Sequence, residues 1–146
     1  MKATTVLQSL APTASKPPEN VQIQTVSGCN GGCIFCPNGK TRRKIPFGRR
    51  MDEKLFRSVA DKCLELGVRR YTLYLMNEPL LDRHLPERVA YISGRIKKPQ
   101  YTKITTHGGL LTEDMARRLL DAGLDKLKIS VQSINPQTYR HIMNLP

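Results

Sequence analysis

The sequence predicts an α/β fold, because short β-prone apolar segments alternate with segments of helical periodicity along its 146 residues. The chain has the size of one domain, and 39% of its residues are hydrophobic, which is enough for a core. Such alternation implies parallel strands joined by right-handed crossovers. The four predicted strands are too few to close a barrel, so the sheet either stays open or belongs to a longer natural protein.

The first half of the chain is expected to form two strands with a helix between them. The segment 21–26 is rich in Val and Ile and indicates the first strand. Apolar residues at helical spacing predict a helix from about Asp52 to Leu66, with Gly67 as its stop. The nearly unbroken apolar segment 71–76 is then typical of a strand covered on both faces.

The second half repeats this alternation. A helix is predicted on one stripe of residues four, three and four apart, formed by Leu85, Val89, Ile92 and Ile96. Strands are predicted at 101–106 and 127–131, separated by a helix that Thr112 caps and Gly123 ends. Asn135 and Pro136 indicate the cap and first residue of a last helix, which the chain scarcely begins.

Residues 1–20 are expected to form a flexible leader to a domain spanning 21–146. Three prolines and many small polar residues leave the leader little apolar surface to offset the entropy of ordering. The chain contains neither an apolar stretch of the roughly 20 residues that a membrane span needs nor the continuous apolar region of a secretory signal. We therefore expect a cytoplasmic protein without a membrane association, whose close cysteines indicate metal binding or catalysis rather than disulfides.

The net charge is strongly positive, with 24 Lys and Arg against 12 Asp and Glu, or +12. Such a field suits a polyanionic partner such as a nucleic acid. Much of the excess lies in one run at 40–50, and runs of this kind are more often solvated loops than binding grooves. Nucleic-acid binding is therefore kept as an alternative rather than as the main prediction.

Polar residues gather where each predicted strand ends. The cysteine loop follows the first strand, Glu78 follows the second, His107 the third and Ser130 the fourth. Because the loops after parallel strands open at the same edge of a sheet, we expect these groups to form one site.

Cys29, Cys33 and Cys36 are spaced four and three positions apart among glycines, which let the backbone fold tightly around a bulky inorganic group. Three thiolates can hold three irons of a four-iron, four-sulfur (4Fe-4S) cluster, whose usual complement is four cysteines, and one iron is then left open. The alternative is a zinc site, which needs a fourth ligand. Cys63 lies on the apolar face of a predicted helix, so we expect it to be a small buried hydrophobic residue rather than the fourth ligand.

The C-x-x-x-C-x-x-C loop, with Phe35 just before its last cysteine, resembles the signature of the radical S-adenosylmethionine (radical SAM) superfamily. The resemblance implies that the open iron binds the amino and carboxylate groups of S-adenosylmethionine and that Phe35 lies beside the adenine. It also implies that an electron from a donor such as flavodoxin or ferredoxin cleaves the cofactor. The resulting 5′-deoxyadenosyl radical would abstract hydrogen from an unidentified substrate.

Three further segments resemble motifs of that family. Met-Asn-Glu-Pro at 76–79 is similar to its G-G-E-P motif, which implies that Asn77, Glu78 and Pro79 bind the cofactor, with Glu78 at the methionyl ammonium. Two glycines of that motif are replaced here by Met76 and Asn77.

The segment 105–113 is similar to the family's T-N-G-x-L-L-T stretch, with His107 where Asn is usual, and we assign this histidine no proton transfer. The segment 128–133 is similar to the family's fourth strand, which implies that Ser130, and next Gln132, reach the ribose or carboxylate of the cofactor. No catalytic side chain is assigned.

The resemblance spans roughly 21–143 and implies a partial (β/α) TIM-like barrel of parallel strands, truncated after about four β/α units. The segment Asn-Glu-Pro-Leu-Leu-Asp at 77–82 resembles the corresponding segment of family members that have an additional C-terminal cluster domain of the SPASM kind. Those members modify peptides, proteins or small metabolites. Two alternatives remain: a noncatalytic module that binds zinc and nucleic acid, and an inactive relic that still binds a cluster.

Overall fold

The computed structural model describes residues 16–38 and 46–145. Its sheet has four strands in the order β1-β2-β3-β4, and every neighbouring pair is parallel. The strands are β1 (Asn20–Gln22), β2 (Arg70–Thr72), β3 (Tyr101–Thr106) and β4 (Lys126–Ile129). This topology confirms the predicted α/β fold with parallel strands.

The helices lie between and after these strands as predicted. They are α1 (Glu53–Glu65), α2 (Leu85–Ser93), α3 (Glu113–Asp121) and α4 (Pro136–Met143), with a short 3₁₀ turn at Pro79–Leu81. The first residues of three helices are fixed by side-chain caps, in which Asp52, Thr112 and Asn135 accept backbone N–H groups. None of the helices within the described ranges combines the length and apolar character needed to cross a bilayer.

The core lies between the sheet and the first three helices. Phe56 of α1, Ile92 of α2 and Leu119 of α3 are fully or almost fully buried against Tyr71 and Ile104 of the strands. The predicted apolar stripes are therefore the faces that pack, because burying them removes apolar area from water.

Several predicted boundaries are wrong. The second strand was expected to run from Tyr71 to Met76, but β2 ends at Thr72, and Leu75 and Met76 are 46% and 40% exposed. The chain leaves the sheet after Leu73, because the N–H groups of Leu75 and Met76 donate to the side chains of Asn77 and Gln24 instead of to a neighbouring strand. All four residues of β4 are exposed, and β4 is an edge strand among the described residues. Val131 of the expected strand lies beyond its end.

Smaller differences affect the two ends of the chain. Asn20 belongs to β1, so ordered structure begins before the expected start at 21, while residues 1–15 of the predicted leader lie outside the described residues. The last helix is longer than expected, with eight residues. Most of the basic run at 40–50 also lies outside the described residues.

A buried ion pair joins three separate parts of this fold. Arg88 of α2 and Asp82 have side chains that are 2% and 0% exposed, and the Arg88 Nη1 atom lies 3.1 Å from Asp82 Oδ2. The guanidinium also donates to the backbone oxygens of Thr25, at 3.2 Å, and of Met51, at 2.6 Å. Arg88 therefore fixes the segment after β1 and the start of α1 relative to α2.

Candidate functional site

One cavity of about 250 Å³ opens where the strands end. Eight of the nine predicted site residues line it: Cys29, Cys33, Phe35, Cys36, Asn77, Glu78, Ser130 and Gln132. The ninth, Pro79, is buried as the first residue of the 3₁₀ turn and is not among the lining residues. Cys29 and Gln132, which are more than a hundred positions apart in sequence, thus line the same cavity, as expected for loops that follow parallel strands.

The loop from Gly28 to Cys36 has a backbone that demands glycine where it begins. Gly28 has a φ of +89°, and a Cβ there would stand 2.5 Å from the ring of Phe47. Cys36 N donates to the oxygen of Cys33 at 3.0 Å, which turns the chain so that both side chains face the cavity. No disulfide forms among the four cysteines.

Two thiols of this loop, those of Cys29 and Cys33, have raised pKa values. Burial is the largest cause that raises the pKa of Cys29, and the negative charges of Glu78 and of the neighbouring thiols add to it. Burial likewise raises the pKa of Cys33, followed by the charge of Cys36. These thiols therefore become thiolates more readily once a metal supplies positive charge beside them.

The donor set fits an iron–sulfur cluster. Its three cysteines offer soft sulfur ligands, which such clusters take, and all three line the same cavity. Among the described residues, no three His, Cys, Asp or Glu side chains converge as ligands of a single metal ion. A cluster does not require this convergence, because each cysteine binds a different iron.

Glu78 is the most heavily hydrogen-bonded side chain of the cavity, and it is 2% exposed. Its Oε1 atom accepts from the Thr106 hydroxyl at 2.6 Å and from Leu80 N at 3.0 Å, and its Oε2 atom accepts from His107 N at 3.1 Å. The Glu78 backbone N–H donates to Gly28 at 3.0 Å, which fixes the carboxylate beside the cysteine loop.

His107 connects the loops that follow the first three strands. Its Nε2 atom lies 2.9 Å from Asn30 Oδ1, in the cysteine loop, and 3.2 Å from Glu78 Oε2. This fits the expectation that His107 is a hydrogen-bonding loop residue. Sequence reasoning gave no role to Asn30 or Thr106, although Thr106 could have been found because it ends the third predicted strand.

The remaining predicted residues differ in their surroundings. Asn77 is buried and accepts from Leu75 N at 3.0 Å through its side-chain oxygen, whereas its amide nitrogen has no hydrogen-bond partner among the described residues. Phe35 is 60% exposed and Gln132 is exposed, while Ser130 is half-buried and donates its backbone N–H to Thr106. Their roles toward a cofactor stay predictions.

The end of α4 packs directly on the cysteine loop, which the sequence did not reveal. Gly32 N donates to the oxygen of Met143 and Ile34 N to that of Ile142, both at 3.0 Å. The Cys33 thiol also lies 3.5 Å from the sulfur of Met143, which is buried. A single methionine in an amphipathic helix carries no pattern that would point to this contact.

Cys63 lies apart from the cavity, half-buried at the edge of the core, where burial raises its pKa. We expect Cys63→Ala to lower the free energy of unfolding by about 1 kcal/mol, as for the loss of a small buried group. Iron content after reconstitution should stay unchanged, and its loss in this variant would identify Cys63 as a ligand. Both quantities can be measured by urea denaturation and by iron analysis.

The fold and the cavity together define a parallel α/β protein in which three cysteines line one cavity at the carboxyl ends of the strands. Residues 23–146 match the Radical SAM superfamily. The chain therefore belongs to the Radical SAM superfamily, for which an iron–sulfur cluster and S-adenosylmethionine are the implied cofactors.

Individual relatives agree with this assignment. A protein named probable GTP 3′,8-cyclase of Methanococcus maripaludis is 35% identical over 115 residues, which are 78% of this chain and 36% of that protein. The PqqA peptide cyclase of Granulibacter bethesdensis is 28% identical over 130 residues, or 89% of this chain and 33% of the relative. The chain thus spans about a third of the length of these curated relatives.

Solved structures show the same fold. The crystal structure of BtrN in complex with AdoMet and 2-DOIA superimposes with a TM-score of 0.72 at 25% identity, covering 88% of this chain and 52% of that one. HydG, a maturase of the [FeFe]-hydrogenase, has a TM-score of 0.64 at 12% identity over 87% of this chain and 28% of its own. The second likeness concerns the fold alone.

Proposed function

We propose that this chain carries the cluster and part of the cofactor site of an enzyme that cleaves S-adenosylmethionine reductively and passes the radical to a substrate. Cys29, Cys33 and Cys36 would hold a 4Fe-4S cluster. The observation that carries the proposal is that these cysteines share one cavity with Glu78 and the polar residues that end the strands.

The charges of this cavity suit the cofactor. Its described lining carries one carboxylate, Glu78, while the other polar groups are thiols, hydroxyls, amides and a histidine. S-adenosylmethionine has a sulfonium and an ammonium against one carboxylate, so it enters as a net cation. A negative group that is 2% exposed attracts such a cation more strongly than a solvated one would, because water screens it less.

When bound, the cluster would supply one electron and an open iron that binds the amino-acid end of S-adenosylmethionine. Glu78 would attract the ammonium, and Ser130 and Gln132 would donate to the ribose or carboxylate. Phe35 would cover the adenine, as the resemblance implies. A flavodoxin or ferredoxin would deliver the electron. The outer side of the cysteine loop is accessible to such a donor protein, since Ile34 in this loop is 66% exposed.

The substrate of the whole protein is proposed to be a peptide, a protein or a small metabolite. The relatives support both a small molecule and a peptide as the substrate class, because one is named as a cyclase of GTP and another as a cyclase of a peptide. The cofactor step is common to these alternatives, so it is the step to test first.

Anaerobic reconstitution with iron and sulfide tests the proposal. We expect a brown protein with about four irons per chain, which releases methionine and 5′-deoxyadenosine from S-adenosylmethionine after reduction. A colourless protein that binds one zinc and refuses iron would contradict the proposal. A brown protein that leaves the cofactor intact, even when the reductant is shown to reduce its cluster, would favour the inactive relic.

A further inference from the structure

The described end of the basic run, residues 46–50, lies against the segment that leads into the cysteine loop. Gly48 N donates to the oxygen of Ser27 at 2.9 Å, and Ser27 N donates to the oxygen of Arg49 at 2.8 Å. Ser27 is only two positions before Cys29. The basic run, which was expected to be a solvated loop, is thus fixed at this end beside the proposed cluster.

Exposed apolar side chains accompany both the cysteine loop and the segment beside it. Phe47 is 59% exposed, yet its ring packs on Gly28, where a Cβ would stand 2.5 Å from it. Ile34 in the cysteine loop and Leu55 at the start of α1 are exposed as well. Aromatic residues and arginines are enriched in the interfaces of protein complexes, whereas a phosphate chain is bound mainly by charge. This surface therefore suits a protein partner better than a nucleic acid.

A groove of about 360 Å³ at this place carries a positive charge. Its described lining includes two guanidinium groups, those of Arg49 and Arg50, and one carboxylate, Asp52, which caps α1 by accepting two backbone N–H groups. Arg49 has no acidic partner among the described residues. Arg50 lies 3.9 Å from Asp82, whose charge Arg88 already balances at 3.1 Å. The groove therefore attracts an acidic partner.

We propose that this groove, together with Phe47 and Ile34, is the docking surface for the protein that delivers the electron. The partner is an acidic one-electron carrier of the flavodoxin or ferredoxin kind. Opposite charges attract it at long range, and the apolar side chains then lose their contact with water. In the docked pair one electron leaves the reduced group of the carrier and enters the cluster, and no bond forms or breaks. This inference rests on the proposed function.

Reversing the charge of Arg49 should slow the reduction of the cluster by a carrier protein. With a purified bacterial flavodoxin of net negative charge, we expect the second-order rate constant in Arg49→Glu to fall about tenfold at about 0.01 M ionic strength. Arg49→Gln removes the charge without reversing it, so it should lose about half as much on a logarithmic scale. In about 1 M salt both differences should nearly vanish, because ions screen the charges.

Anaerobic stopped-flow absorbance measures this rate on the reconstituted chain, with iron content determined for every variant. Photoreduced deazaflavin, a small reductant without net charge, needs no docking surface and should reduce all variants at the wild-type rate. Lys97→Glu is the matched control for the change of charge. Lys97 is exposed and lies shortly before β3, at the opposite end of the strands from the cysteine loop, so the flavodoxin rate should stay close to that of the wild type.

The same measurements identify a wrong inference. An equal slowing in Lys97→Glu would mean that only the net charge of the chain matters, and an equal slowing with deazaflavin would mean a disturbed cluster loop; either overturns the docking surface. So does an unchanged flavodoxin rate in Arg49→Glu, or a wild type that deazaflavin reduces and flavodoxin does not.

Two further outcomes concern the alternatives. If a short single-stranded RNA binds the chain and loses affinity in Arg49→Glu while the flavodoxin rate stays the same, the groove belongs to a nucleic acid instead. If the brown wild type takes no electron even from photoreduced deazaflavin, the proposed function itself fails, and the inference with it.

Discussion

Cys33→Ala is expected to abolish cluster assembly, with little iron or sulfide retained after anaerobic reconstitution. Cys33 is the middle ligand of the proposed trio, and its thiol faces the same cavity as those of Cys29 and Cys36. Two thiolates would leave two irons of a cubane without a protein ligand, and the described lining offers no other thiol to replace the one that is lost. Iron and sulfide analysis and the brown colour measure the outcome.

The fold of this variant should persist, because Cys33 lies outside the core between the sheet and the helices. Circular dichroism of the apo-protein therefore serves as its control, and Cys63→Ala serves as the control for deleting a cysteine. Full iron content in Cys33→Ala would contradict the assignment of Cys33 as a ligand.

Arg88→Met is expected to lower the free energy of unfolding by about 3–5 kcal/mol, the usual cost of leaving a buried charge without its partner. Asp82 is fully buried, and its second cation, Arg50, is 3.9 Å away and 43% exposed. The variant also removes the hydrogen bonds that Arg88 donates to Thr25 and Met51. Urea denaturation of the apo-protein measures the change.

Two further variants define the cause of that loss. Arg117→Met removes an exposed ion pair with Glu113 one helical turn away, and we expect it to cost no more than about 0.5 kcal/mol. Adding Asp82→Asn to Arg88→Met should recover part of the stability, because the buried charge is then gone. If Arg88→Met proves as mild as Arg117→Met, the buried pair does not stabilise the fold.

The parts of the fold that sequence predicted best are those in which local pattern and packing agree. The strand Tyr101–Thr106 was predicted with its observed ends, because its β-prone residues run directly into a glycine pair. The segment after Leu73 was predicted wrongly for the opposite reason. Leu75 and Met76 are apolar but exposed, and apolarity alone cannot distinguish a buried strand from the wall of a cavity.

The candidate site was predictable as a set of residues and less so as a network. The position of Glu78 after a strand and the spacing of the cysteines were enough to predict that these groups lie at one edge of the sheet. The hydrogen bonds of the His107 ring to Asn30 and of the His107 backbone N–H to Glu78 depend on the relative placement of three loops, which periodicity does not encode. Met143 was missed because its contact with Cys33 joins residues 110 positions apart.

The packing of α4 on the cysteine loop has a consequence for the order of events during synthesis. The cysteines leave the ribosome long before Ile142 and Met143, whose carbonyl groups accept the N–H groups of Ile34 and Gly32. Until those carbonyl groups emerge, the nascent loop lacks two of its backbone partners and is open to solvent and oxidants. Iron loading should therefore be favoured only after the last helix has emerged from the ribosome.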